Sequence, residues 1–217
     1  LKTYPMAVAA AGSILSYATE TQFSELPHLR PPSLMIKAKT MTLDAVTLRN
    51  LEIVRTISDS SKDTLFAVVN KTSTAGGSRR LKDWFLRPLH DLKKVNERHD
   101  AVQELFDNTL SRREIRDILK GFQDVERLLS RLGHGSISPR DLDSLRFSLN
   151  TVKELKQFLT EEPLKSKLMK KLVKSIDIHK QVSKKLTEAI VEEPPLVLRD
   201  GGIFKKGYSK ELDDLRS

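Results

Sequence analysis

Apolar residues recur at three- and four-residue steps along most of this chain. Leu142, Leu145, Leu149, Val152, Leu155 and Leu159 keep that spacing for five turns, which predicts one long amphipathic helix. Ser138, Pro139 and Asp141 supply its start: a capping hydroxyl, a proline where the first turn accepts one, and an acid at the positive helix end. Leu164, Leu168, Leu172, Val173 and Ile176 predict a second helix, and Val182, Leu186 and Ile190 a third. Ser111 followed by Glu114 reads as a capping box opening a segment with Ile115, Ile118, Leu119 and Phe122 on one face. Residues 195–203 turn at their Gly pair, and Gly207 precedes a final helical pattern of Tyr208, Leu212 and Leu215. Only residues 34–43 alternate as a short strand would; after Asp44, a good N-cap, the expectation is helix throughout.

Residues 5–23 are rich in alanine and carry Pro5 at a first-turn position, so they read as a buried helix. Residues 24–33 hold three prolines, through which no helix runs, and they mark a linker. The expected organisation is therefore 1–33, a helix plus linker, followed by a helical domain over 34–217. The fold class is all-α, an irregular array of about eight or nine helices with at most one short strand near 34–43.

Composition supports that class. Leu outnumbers Val and Ile together, 32 to 24, and these with Phe make up a little under three in ten residues, too many for a disordered chain. The absence of cysteine excludes disulfides, a thiolate nucleophile and cysteine-bound metals. The longest apolar run, residues 6–15, is about half of what a bilayer span requires. A first residue other than Met, and an ending inside a charged helical pattern, suggest a piece of a longer protein.

Catalytic patterns are missing from the sequence. The strings at Gly76–Gly77–Ser78 and Gly201–Gly202 lack the lysine and hydroxyl of a nucleotide-binding loop. His28, His90, His99, His134 and His179 never fall three or four apart, so surface or capping roles are expected of them. The pairs Glu161–Glu162, Glu192–Glu193 and Asp213–Asp214 are adjacent, which on a helix makes them diverge, and solvated charge is expected. No catalytic, cofactor-binding or metal-binding residue is assigned. The string Gly76 to Arg80 has one alternative to close packing and ion pairing, namely a phosphate held at a helix start.

Charge, by contrast, is unevenly distributed. The formal net charge is +9, and residues 164–186 alone hold +7, with eight lysines (165, 167, 170, 171, 174, 180, 184 and 185) against Asp177. The stripe from Lys165 to Lys185 could neutralise DNA phosphates, yet it has no Arg to read a base and no aromatic on which one would stack, so a solvated helical face is the favoured reading.

Six blocks carry a resemblance: residues 42–53 (TLDAVTLRNLEI), 74–89 (TAGGSRRLKDWFLRPL), 98–105 (RHDAVQEL), 124–132 (DVERLLSRL), 138–142 (SPRDL) and 199–216 (RDGGIFKKGYSKELDDLR). In order and spacing they resemble the core or lever domain of MutS-type DNA mismatch repair proteins. Residues 5–23 resemble the last helix of that family's connector domain, a feature that argues against the anti-recombination paralogue lacking it. A non-specific DNA-binding helical domain is the remaining alternative.

The resemblance implies a non-catalytic module with no cofactor of its own. It sits between mismatch reader and clamp on one side and a dimerising ATPase, with ATP and Mg, on the other. Implied partners of the full-length protein are mismatched duplex DNA, a MutS-type dimer partner and a MutL-type protein, with no membrane. Its implied location is the cytoplasm and nucleoid in a prokaryote, or the nucleus in a eukaryote. On the same reading Thr74 and Gly77 start a helix with Leu81, Trp84 and Phe85 facing inward. Arg127 and Arg131 pair with acids, and Asp200–Gly201–Gly202 turns the chain into the outgoing lever helix.

Overall fold

The computed structural model describes residues 4–22 and 40–216, and the chain divides into two compact units, Leu1–Lys39 and Thr40–Ser217. The sequence boundary at 33/34 lies outside the described residues, as do His28 and most of the expected strand.

In the first unit α1 spans Pro5–Gln22. Its expected burial is not found: Met6 is 83 % exposed and Ile14 70 %. Alanine favours the helix without any need to be buried, and the apolar side chains are spread around the cylinder instead of forming a stripe.

The second unit is helical. It contains α2 (Ala45–Asn50), α3 (Leu65–Val69), α4 (Ala75–Leu86), α5 (Leu92–Asp107), α6 (Thr109–Lys120), α7 (Val125–Gly133), α8 (Pro139–Glu161), α9 (Lys167–Ser175), α10 (Lys180–Ala189) and α11 (Lys210–Arg216), with a 3₁₀ turn at Leu198–Asp200. Where alternation predicted a strand, the described residues hold one antiparallel bridge, Thr40 to Leu89. A second bridge joins Ile190 to Phe204.

Helix starts follow side-chain chemistry closely. Asp44, Thr64, Thr74, Asp91, Asn108, Asp124, Ser138 and Ser166 each accept a first-turn backbone N–H with their side chain, opening α2 through α9 in turn. Ser138 and Asp141 form the full reciprocal box expected of them. Ser111 does not open a helix. Asn108 caps α6 three residues earlier, and Ser111 is buried inside the first turn, where its hydroxyl donates to Glu162. Nor is the chain helical throughout after Asp44: residues 51–64 form turns in which Glu52 and Asp59 take left-handed backbone angles. Short polar residues crowd this stretch, and their side-chain hydrogen bonds compete with a helix ladder, as Thr56 does by accepting from the Ser60 N–H.

The long helix α8 organises the packing. At 23 residues it runs about 34 Å and takes part in two clusters. Toward its start Leu145 and Leu149 pack with Leu128 of α7, joined by Val125 and Leu186. Toward its end Leu159 packs with Ala101 of α5 and with Met169 and Val173 of α9, bordered by Ile115 and Leu155. Between Leu145 and Leu149, Ser148 is fully buried, its hydroxyl donating to the Ser144 carbonyl and accepting the Gln123 N–H. Leu164 and Ile176 pack on the second cluster from the segments flanking α9 rather than from the helix. Ile190, the last periodic residue of the third predicted helix, caps α10 and is 2 % exposed.

Candidate functional site

Gly76 to Arg80 occupy the first turns of α4, where the Gly77 and Ser78 N–H groups are already engaged by Thr74. The Thr74 hydroxyl accepts the Gly77 N–H at 3.0 Å. Gly77 is small because it must be: a Cβ there would sit 2.9 Å from the Thr74 oxygen. Arg79 grips the Asp124 carboxylate with both guanidinium nitrogens, at 2.9 and 2.7 Å, and meets Glu126 at 2.6 Å. The Arg79 hydrogen bonds hold Asp124 below the usual carboxylate range, and the same pairing raises Arg79. Since Asp124 also caps α7, this one arginine ties α4 to α7. Packing at Gly77 and pairing at Arg79 are what the string does within the chain.

Several other arginines also tie elements together. Arg131 reaches Asp141 at 2.8 Å and so joins α7 to the capping box of α8. Burial pushes Asp141 up, but the Ser138 N–H and hydroxyl together with Arg131 outweigh it and leave it lowered. Arg127 makes no ion pair within 4 Å with any described residue, although its charge acts on both Asp124 and Asp141. Arg112 donates to the Leu105 and Phe106 carbonyls, Arg116 to Lys71, Arg140 to Pro194 and Arg146 to Ile190. These guanidiniums close loop carbonyls and helix ends onto neighbouring elements.

Trp84 does not face inward as expected: it is 38 % exposed, with the Arg98 guanidinium 3.8 Å above its ring. Leu81 and Phe85 are half-buried, and Phe85 meets Phe66 edge to face at 6.4 Å.

Carboxylates and histidines take structural positions. Glu162 is not simply solvated, for it accepts from Ser111 and Asn108 and so joins the end of α8 to the start of α6. Glu104 accepts the backbone N–H groups of Lys165 and Ser166 and thereby docks α5 on the start of α9. Asp213 accepts the Gly207 N–H at 2.6 Å. The sequence gives little signal for these roles, because each partner lies in another element. His90, His99, His134 and His179 are exposed, and His179 precedes α10 in a left-handed conformation with no side-chain cap. No group of three or more potential metal ligands occurs among the described residues.

The turn at the end of the domain is as expected. After the 3₁₀ turn, Gly201 and Gly202 adopt positive φ of 67° and 66°, which costs a glycine nothing. The chain then pairs back through Val191 to Ile203 and Lys205 to Ala189 before entering α11. Tyr208 lies just before α11 and stacks on Phe204 with 5.6 Å between ring centres. No helix among the described residues is long and apolar enough to cross a membrane.

Comparison with known proteins agrees with this architecture. The sequence model of MutS domain III matches residues 46–216. The DNA mismatch repair protein MutS of Pelotomaculum thermopropionicum is 41 % identical over 214 residues, 98 % of this chain and 25 % of that protein. Its counterparts in Methanosarcina acetivorans and Halothermothrix orenii are each 39 % identical, over 97 % and 98 % of the chain and 24 % of each relative. The chain thus spans about a quarter of the length of the curated relatives it matches. With a family match over residues 46–216 and relatives this similar along nearly its whole length, the chain belongs to the MutS family and carries its domain III.

Proposed function

We propose that this domain is the non-catalytic connector of a MutS protein, linking a mismatch-binding and clamp region to an ATPase region. The observation carrying this reading is the domain III match over residues 46–216, in relatives named for DNA mismatch repair. The packing is compatible with it: α8 joins two clusters, and Arg79 and Arg131 fasten α4, α7 and α8 to one another. A connector must keep its elements in fixed relation, since a force applied at one end is otherwise absorbed by internal slippage. In the full-length protein the partners on this reading are mismatched duplex DNA, a second MutS-type subunit and a MutL-type protein, and ATP with Mg serves the ATPase region.

The reading requires that the domain have no nucleotide site or mismatch preference of its own. Calorimetric titration of the chain with Mg-ATP is expected to give no saturable heat, and competition is expected to show no preference for mismatched over matched duplex. A stoichiometric micromolar ATP site, or a mismatch preference above about tenfold, equivalent to about 1.4 kcal/mol, would overturn it.

A further inference from the structure

Arg79 and Arg131 bond across elements, whereas Lys170, Lys171 and Lys174 of α9 are all exposed and make no ion pair within 4 Å with any described residue. At 100° per residue these three lie within an arc of about 100°, turned away from the buried Met169 and Val173. Just past the end of α9, a groove of about 520 Å³ between α8 and α10 is lined by Lys153, Lys180 and Lys184, with Ile178 of the connection at its edge. Glu188 also lines it, 3.7 Å from Lys184. Lys165 and Lys167 stand apart from this group, because they border a different groove opposite Glu97, Asp100, Glu104 and Asp107 of α5.

We propose that the lysine face of α9, continued by the α8–α10 groove, is an accessory contact surface for the sugar–phosphate backbone of duplex DNA. Six lysines form it: Lys153, Lys170, Lys171, Lys174, Lys180 and Lys184. Three features choose this partner among polyanions. The apolar side of α9 is spent in the core, so the helix has nothing to insert into a lipid surface. Residues 164–186 contain no aromatic and no arginine, the anchors on which protein interfaces rely, and their half-exposed large apolar residues are two isolated ones, Leu172 and Val182. A phosphate backbone needs neither, because a strand presents a charge about every 3.4 Å of helix axis, and the roughly 6 Å from Lys170 to Lys174 spans about two of them. The same composition denies base reading, so the contact is sequence-independent. For its setting the proposal rests on the reading of the domain as part of a DNA repair protein.

Fluorescence anisotropy of the chain with a short, fully matched duplex tests it, measured at about 50 and about 200 mM salt. If each lysine neutralises one phosphate, affinity falls about 1,800-fold between those salts in the parent chain. In the triple variant Lys170→Ala, Lys171→Ala, Lys174→Ala it falls only about 40-fold. Alanine favours helix and the three positions face solvent, so circular dichroism should show the variant folded. An unchanged salt dependence in the folded variant overturns the proposal, as does failure of the parent chain to bind at about 50 mM salt. Displacement of the duplex by polyglutamate as readily as by unlabelled duplex also overturns it, and points instead to an acidic protein segment. Each of these leaves the connector reading standing, since that depends on nucleotide and DNA coupling in the full-length protein and not on this face.

Discussion

Two neighbouring glycines show how far a single position's surroundings decide its chemistry. Gly76 and Gly77 share the first turns of α4, and neither has an unusual backbone angle. A Cβ at Gly76 would meet nothing within 4 Å, so Gly76→Ala should stabilise the chain by about 0.4–1 kcal/mol, mainly by restricting the unfolded state. At Gly77 the same methyl would press on the Thr74 hydroxyl at 2.9 Å, with Thr72 in ordinary contact beside it. That hydroxyl is the cap of α4, and moving it forfeits the bond to the Gly77 N–H. Gly77→Ala should therefore destabilise by about 0.5–2 kcal/mol, the usual worth of an N-cap. Urea denaturation of both variants checks the pair. Opposite signs are expected, and stabilisation by both would show that Thr74 contributes little as a cap. A phosphate-cradle reading distinguishes these positions differently, since it needs both glycines for close backbone approach.

At the level of elements, capping residues predict structure better than apolar spacing does. Ser138 is the clearest case: Ser138→Ala removes the acceptor for the Asp141 N–H and the hydroxyl's bond to the Asp141 carboxylate, and should cost about 1 kcal/mol. A thermal melt reads this, with Ser111→Ala as its comparison, because Ser111 is a buried bond to Glu162 and no cap. The extent of α8 was legible for the same reason, its start fixed by local hydrogen bonds and its length by a repeat lasting five turns. Local sequence could not distinguish Ser111 from Asn108 as the start of α6, since Ser-x-x-Glu also occurs inside a helix. The expectation of helix throughout after Asp44 fails at 51–64, because a cap fixes where a helix starts and not how far it runs, and short polar side chains there bond to the backbone instead. Burial of α1 was misjudged because alanine content reports helix propensity and not the presence of a partner. Of the charged residues, the expected pairing fails at Arg127 and holds at Arg131 and Arg79, whose partners Asp141 and Asp124 lie 10 and 45 residues away. Contacts such as Glu104 to Ser166, 62 residues apart, leave no local pattern at all.

For the whole molecule the decisive question is whether the domain passes an effect outward through its last helix. Ser209 opens α11, its hydroxyl accepting the Leu212 N–H, while Asp213 reaches back to the Gly207 turn. Leu212 is half-buried and Leu215 is 86 % exposed. If α11 begins a lever in the full-length protein, its backbone ladder must be continuous, because a rigid helix moves its far end only as much as each turn resists bending. Proline at Asp214 removes a ladder hydrogen bond and clashes with the preceding turn, at about 3 kcal/mol or more. Asp214→Pro should therefore kink α11 without disturbing either apolar cluster, neither of which includes it. Asp214 has side-chain or electrostatic interactions of its own. Asp214→Ala is the control, losing those while keeping the ladder. In the full-length protein both variants should still hydrolyse ATP, but only the proline variant should lose most of the mutual effect of nucleotide and mismatched DNA, a coupling expected to be about 1–3 kcal/mol. The measurement is mismatch affinity with and without ATP, beside a melting curve showing that both variants fold. A nucleotide effect of equal size in parent, alanine and proline proteins would mean that communication bypasses α11 and that the connector does not work as a lever through it.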